Sequence, residues 1–295
     1  MRWPHGCIRR DELLANHTSF RIGGRAEWFA EPSTLEELVE VLKAATRAGL
    51  PVSVLGGGTN TLVADRGLRG LVVHLGAGFR TIEALGSPEA PMAQVRCGAA
   101  LLTQRLVTLA AQYGWGDLEA LAGLPGQLGG AVAMNAQGIG RFVHAIRFVA
   151  FDGTVHELTR EQLHFTYRYA ALPPGLIAQV MLQFPHRPLE EASDRIGHAL
   201  RYRNTTQEVR LPSAGCAFKN PRDAGAGRLI DEAGLKGARI GDAQVSARHA
   251  NFIVNLGQAT CDDVLSLMEY VQRHVERIHR IWLEPEIRLL GEQWR

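Results

Sequence analysis

The sequence is sparing with cysteine, and none of its four (Cys7, Cys97, Cys216 and Cys261) stands in a Cys-x-x-Cys pair. That excludes the common zinc and dithiol motifs, and no metal site is expected. Charge of one sign is also lacking: 32 Lys and Arg against 30 Asp and Glu leave a formal net charge of +2. No strong field therefore favours nucleic acid or a membrane surface, and an anionic ligand must be held by locally placed groups. Long hydrophobic runs are missing as well. No stretch approaches the ~20 apolar residues of a membrane helix. The start, Met1 to Leu14, carries Arg2, Arg9, Arg10 and Asp11 but no apolar run of signal-peptide length. These absences lead to the expectation of a cytoplasmic protein with free thiols and neither a membrane nor a nucleic-acid partner.

What is present is ordinary for a folded chain, with 46% hydrophobic and 21% charged residues over 295 positions. The length favours two or three domains. Ser33 and Glu36 form a Ser-x-x-Glu pattern that predicts a helix start, followed by Leu35, Leu38, Leu42 and Ala45 at helical spacing and a stop at Gly49. Pro51–Leu55 reads as a short buried strand and Leu71–Leu75 as a second. Further strands are expected at Ala93–Cys97, Ala145–Phe151 and Ile177–Phe184, with a helix over Leu101–Tyr113 that ends at Gly114. The longest predicted helix runs from about Thr260 to Ile281, with Val264, Leu267, Met268, Val271, Val275 and Ile278 on one face. A terminal strand over Leu283–Leu290 has Pro285 near its start, where a missing donor is tolerated. Pattern changes near residues 76 and 187 suggest boundaries, giving units 1–76, 77–187 and 188–282, with 283–295 returning to the first.

Two glycine-rich loops dominate the chemistry. The first is Gly56-Gly57-Gly58-Thr59-Asn60-Thr61; the second runs from Gly123 through Pro125, Gly126, Gly129 and Gly130 to Asn135. Glycine lets a ligand phosphate approach backbone N–H groups closely. One such loop alone reads best as a tight turn. Two of them point to a large phosphate-bearing cofactor. Neither is a P-loop, because the Gly-Lys-Ser/Thr ending is absent, and neither carries the Gly-x-Gly-x-x-Gly dinucleotide fingerprint.

The same residues carry a resemblance. Leu55-Gly-Gly-Gly-Thr-Asn60 followed by Asp65 and Gly67, Gly123-Leu-Pro-Gly through Asn135, Tyr167-Arg168, Pro212-Ser-Ala-Gly-Cys-Ala-Phe-Lys-Asn-Pro221, Ala233-Gly-Leu-Lys-Gly237, Val245-Ser246, His249-Ala-Asn-Phe-Ile-Val-Asn255 and Glu284-Pro-Glu286 together resemble the UDP-N-acetylenolpyruvoylglucosamine reductases. The 213–221 block is the most specific of them. The resemblance implies a mixed α+β fold. Two FAD-binding domains of the vanillyl-alcohol-oxidase/PCMH type would be joined by a C-terminal α/β substrate domain, in the compact subtype without an extra substrate-capping insertion. It implies bound FAD, NADPH as co-substrate, UDP-N-acetylglucosamine enolpyruvate as substrate and a monomer. Another FAD-linked oxidase or dehydrogenase of the same superfamily is the alternative that the glycine loops permit.

The implied reaction delivers a hydride to one end of an enol-ether double bond and a proton to the other, with negative charge building at the carbon that bears the carboxylate before the proton arrives. Cys216 matches the proton donor, and a thiol with an ordinary pKa of about 8.5 is mostly protonated at neutral pH. Arg168 matches the arginine that faces the developing charge, and Glu286 the catalytic glutamate. The resemblance also marks Asn220 and Gln244 as substrate contacts; Lys219, Arg201 and Arg203 are plausible partners for its diphosphate or carboxylate. Composition alone would read Cys216 as a small buried hydrophobe and Arg168 as a surface ion pair. Alternation along the last strand cannot separate Glu286 from Glu284. Two departures stand out: Ala170 where a serine is usual, and Ile139 where a tyrosine is usual.

Overall fold

A computed structural model describes residue 3 and residues 6–87, 90–208 and 211–291; residues 1–2 and 292–295, at the ends of the first and last sequence-drawn ranges, lie outside the described residues. The chain divides into two compact units. One comprises residues 1–9, 28–57 and 70–203; the other comprises 10–27, 58–69 and 204–295. The first α-helix, α1 (Leu35–Arg47), is followed by α2 (Thr103–Tyr113), α3 (Leu128–Ala133), α4 (Leu189–Thr206), α5 (Ala226–Glu232) and α6 (Cys261–His279).

The first unit is built on a five-stranded antiparallel sheet. Its strand order is Ile82–Leu85, Met92–Gly98, Gly175–Pro185, Val143–Ala150 and Val155–Thr159. The central strand, Gly175–Pro185, sets Val180 opposite Cys97 on one side and Ile146 on the other. Its residues Ala178, Val180, Leu182 and Phe184 are buried at period two, so one face of the sheet feeds a single core with α2 and α3. Gly114 ends α2 in the left-handed conformation at φ 67°, as the sequence predicts. α1 begins one residue later than the Ser33–Glu36 pattern implies. Thr34 is the cap and its hydroxyl accepts from Glu37 N, while the Glu37 carboxylate accepts from Ser33 N. The strand predicted at Pro51–Leu55 shortens to Val52–Val54, and it is half-buried to exposed rather than buried, because it pairs in parallel only at Leu71–Val73. α4 packs on this unit through Ile196, and Arg195 reaches Asp117 and Glu119.

The second unit gathers three stretches of chain. Its four-stranded antiparallel sheet has the order Ser213–Cys216, Phe252–Asn255, Ala243–Val245 and Arg239–Ile240. α6 covers it, burying Val264, Leu267, Met268, Val271 and Val275. Ile278 is the exception to the predicted face: it is 50% exposed, because the helix is in its last turn there. Thr260 and Asp263 form a reciprocal capping box. The predicted terminal strand is shorter than expected: Arg288–Leu290 pairs in parallel with Thr61–Val63, while Pro285 makes only an isolated bridge to Phe218.

Candidate active site

In the first unit the two glycine loops meet. A Cβ placed on Gly57 would stand 3.0 Å from Gly126 Cα and 3.2 Å from Gln127 N. Backbone packs directly on backbone there, and a side chain at 57 would force its neighbours to give by a few tenths of an ångström. Gly130 faces open space, with nothing within 4 Å of a built Cβ, and Gly56 meets only Gln127 Oε1 at 3.6 Å. The result is a side-chain-free surface of the kind a dinucleotide can lie against, so these residues fit FAD. Supports come from beneath: Thr103 N donates to Gly126 O at 3.0 Å and Gly129 N to Ala99 O at 2.8 Å. The stem of Arg203 lies over the second loop, with its Cδ 2.7 Å from a Cβ built on Gly123. Pro125 is exposed, and Arg201 is exposed on α4.

Asn135 closes the second loop in a left-handed conformation (φ 42°). Its amide is engaged with the protein: Nδ2 donates to Thr166 O at 2.8 Å and Oδ1 accepts from Gly140 N at 2.9 Å. It therefore braces the hairpin that pairs Phe165 with Ala170 and Thr166 with Tyr169. Arg168 sits at the tip of that hairpin with φ 56°, a conformation uncommon for a side chain of its size. Its guanidinium lies over the Tyr167 ring, 5.2 Å from the centroid, so Tyr167, 56% exposed, is a platform for the arginine and not a core residue. Ile139 is fully buried in the core, and Gly140 presses on the Phe165 ring.

In the second unit, Cys216 and Glu286 are tied to one stretch of backbone. Glu286 N donates to Ala217 O at 2.8 Å, and Lys219 N donates to Glu284 O at 2.9 Å. Cys216 follows Gly215, whose φ of 76° goes with an irregularity in the pairing between Ser213 and Cys216. Such bulges re-aim the side chain that follows. Both Cys216 and Glu286 are half-buried. Glu284 is 72% exposed at its side chain and pairs with Lys219 Nζ at 3.1 Å. Exposure and the ion pair thus distinguish the two glutamates that alternation could not. Asn60 holds the same segment from the other side: Nδ2 donates to Glu286 O at 3.1 Å, and Asn60 O accepts from Arg288 N at 2.8 Å. Thr61 pairs with Arg288, Thr59 lies near Gly215, and Gly58 packs on His17 O. Asn220 Oδ1 takes the Ala226 N–H at the start of α5, and Gln244 Nε2 donates to Gly237 O at 3.2 Å.

The residues named from sequence therefore fall into two sets. Gly56, Gly57, Gly123, Pro125, Gly129, Gly130, Asn135, Arg168 and Arg203 belong to the first unit; Gly58, Thr59, Asn60, Thr61, Cys216, Lys219, Asn220, Gln244 and Glu286 belong to the second. Two residues quoted among the resembling motifs without a role act as supports. Asp65 receives Cys261 N at 2.9 Å and Asp262 N at 3.3 Å, placing an anion at the start of α6. Asn251, 3% exposed, bonds both backbone groups of Phe218. An asparagine inside an apolar run was the available signal. Among the other thiols, burial pushes Cys97 up to about 12 and raises Cys7, so neither is poised to ionise.

Residues 26–159 match the FAD binding domain profile, and residues 207–290 match the C-terminal domain of UDP-N-acetylenolpyruvoylglucosamine reductase. Reductases of that name from Symbiobacterium thermophilum and Bacillus velezensis are 41% and 38% identical, each over 97% of this chain and over 93% and 95% of their own lengths. The crystal structure of the Thermus caldophilus enzyme superposes with a TM-score of 0.81 at 40% identity, covering 96% of this chain and 99% of that one. With relatives at 38–41% identity covered over nearly their full length and the C-terminal reductase domain matched, the chain belongs to the UDP-N-acetylenolpyruvoylglucosamine reductase family.

Proposed function

We propose that the protein reduces UDP-N-acetylglucosamine enolpyruvate to UDP-N-acetylmuramate for peptidoglycan synthesis, with FAD bound and NADPH as co-substrate. The observation that carries the assignment of roles is the backbone bond from Glu286 N to Ala217 O. It ties the backbone of the carboxylate residue to the residue that directly follows the thiol. FAD, held by the bare backbone of Gly56–Gly58 and Gly123–Gly130, supplies hydride chemistry when bound.

Arg168 contributes a permanently charged planar fork that suits the substrate carboxylate and the negative charge developing beside it. Its strained backbone and its seat on Tyr167 restrict where the guanidinium can go. Cys216 holds the proton on Sγ and gives it to the carbon that carries the carboxylate. Glu286, fixed through Ala217 and Asn60, polarises the enol by hydrogen bonding. Asn220 and Gln244 are the substrate-facing amides. Lys219 and Arg203 are the cations for its charged groups. The expected setting is the cytoplasm and the expected working form a monomer.

The visible spectrum tests this directly. Purified protein should be yellow, bleach with NADPH under anaerobic conditions and recover on adding the enolpyruvyl sugar. Colourless protein that takes up no FAD would overturn the reading. So would reduced enzyme that recovers with oxygen but not with the sugar, which is the behaviour of a flavin oxidase. NADPH and sugar sharing one site predicts parallel initial-rate lines.

A further inference from the structure

We propose that Asn251 is a positioning residue for the protonation step: its buried amide replaces a missing strand partner and fixes the backbone from which Cys216 and Lys219–Asn220 project. This rests on the role assigned to Cys216 above.

The strand Ser213–Cys216 pairs with Phe252–Asn255 only at Ser213–Val254 and Cys216–Phe252, with the register shifting between them. Beyond Cys216 the ladder stops, and buried peptide groups would have no neighbour. Asn251 fills the gap. Oδ1 accepts from Phe218 N at 3.0 Å, Nδ2 donates to Phe218 O at 2.8 Å, and its own carbonyl accepts from Ala217 N at 2.7 Å. Three bonds thus reach the two residues directly after Cys216. The opposite edge of this segment carries the terminal stretch, through Lys219 N to Glu284 O and Glu286 N to Ala217 O. Asn251 therefore clamps one side of a backbone whose other side carries Glu286, and both proposed acid groups inherit its placement.

A planar amide offers one donor and one acceptor side by side, as a strand neighbour would. A carboxylate offers two acceptors and should push Phe218 O away. A protonated carboxyl restores the donor. This makes Asn251→Asp a switchable variant. The groups packed around position 251 are few. His249 Nδ1 accepts from Asn251 N at 3.3 Å, and burial lowers its pKa and favours its neutral form. α5 approaches through Gly227, where a built Cβ would lie 3.6 Å from both Asn251 Cβ and His249 Cε1. The charges of α5 are paired elsewhere, Arg228 with Glu232 and Asp231 with Lys236. On the terminal stretch stand Glu286 and the Lys219–Glu284 pair.

The test uses the FAD-loaded enzyme and stopped-flow measurement of the two half-reactions separately. At pH 8, Asn251→Asp should slow flavin reoxidation by the enolpyruvyl sugar by about a hundredfold, while reduction by NADPH stays within about twofold of wild type. Lowering the pH to 6 should recover about tenfold of that loss relative to wild type, as the buried carboxyl takes up its proton. Asn251→Ala should show the loss without the recovery. Reoxidation within about twofold of wild type at pH 8, or an equal loss in both half-reactions, would overturn the inference. If the Asp variant retains no FAD, Asn251→Ser is read by the same criterion of selective loss. Cys216→Ala, run alongside, separates this idea from the one beneath it. Full reoxidation there removes Cys216 and the inference together, whereas loss there with normal rates at Asn251→Asp removes only the inference.

Discussion

The two units hold their functional groups by opposite means. The first presents bare backbone: Gly57 against Gly126, with Gly130 open to space, beside a sheet of long antiparallel strands that pair almost continuously, with two register shifts along the central one. The second has short strands with an irregular pairing beside Cys216, and it makes up the missing ladder with buried amides. Asn251 bonds Phe218, Asn255 Nδ2 donates to Phe20 O at 3.0 Å, and Gln272 Nε2 donates to Leu283 O at 2.8 Å. Long strands satisfy most of their own peptide groups and leave loops free to carry glycine. Short strands must recruit side chains, and each buried bond is worth about 1 kcal/mol, with about 1–3 kcal/mol lost if a partner is removed. Substitutions should therefore act on cofactor affinity in the first unit and on group placement in the second.

The largest effect expected is at Cys216. Cys216→Ala should slow reoxidation by the sugar by roughly 10²- to 10⁴-fold, the usual contribution of a general acid, while flavin reduction by NADPH persists. Anaerobic single-turnover traces decide it, and equal rates in both directions would erase the contrast between the units.

Gly57→Ala should act on the other side of the comparison. The added methyl meets Gly126 Cα and Gln127 N at 3.0–3.2 Å, both backbone atoms that cannot rotate away. Overpacking of this sort costs ~1–3 kcal/mol, so FAD affinity should fall by roughly ten- to a hundredfold. Fluorescence titration of apoprotein with FAD reads it, and an unchanged Kd would show that the loops can part without consequence.

A smaller effect sharpens the view of α6. Thr260→Ala removes one half of a reciprocal capping box and should lower stability by about 1 kcal/mol. Asp65→Asn removes the anion at the same helix start and should cost about 0.3–1 kcal/mol. Urea denaturation measures both. The Asp65 loss should shrink in high salt and the Thr260 loss should not.

The effects that are smallest near neutral pH separate the units by pH. Burial pushes Cys97 of the first unit from 9.0 up to about 12, so the unfolded chain ionises this thiol before the folded chain does. Its contribution is intact below pH 9 and is lost as pH rises from 9 towards 12. Burial lowers His249 of the second unit below its ordinary 6.5, so the unfolded chain takes up the proton first, and stability is lost as pH falls below 6.5. Hydrogen exchange should show alkaline weakening around Met92–Gly98 and acid weakening around Phe252–Asn255. The opposite assignment would contradict the burial that sets both shifts.

Much of this was legible from residues alone where the signal is local. The apolar period placed α6 from about Thr260, Gly114 marked the end of α2, and the glycine runs marked both loops. Local rules also failed locally. Ser33 lost the cap to Thr34 because the Glu37 side chain reached back to Ser33 N. The face of α6 did not extend to Ile278 because burial ends with the core and not with the period.

By itself, then, the sequence determined the kinds of groups present: two side-chain-free loops, one thiol in the 213–221 block, an arginine after a tyrosine and a glutamate near the end. Those follow from composition and spacing along one strand of chain. Only tertiary structure decided that Gly57 rests on Gly126, that Glu284 is exposed and paired with Lys219 while Glu286 is half-buried, and that Asn60, Asp65 and Asn251 act as braces. Each of these depends on a hydrogen bond or a steric contact between residues tens to hundreds of positions apart, which no local period encodes.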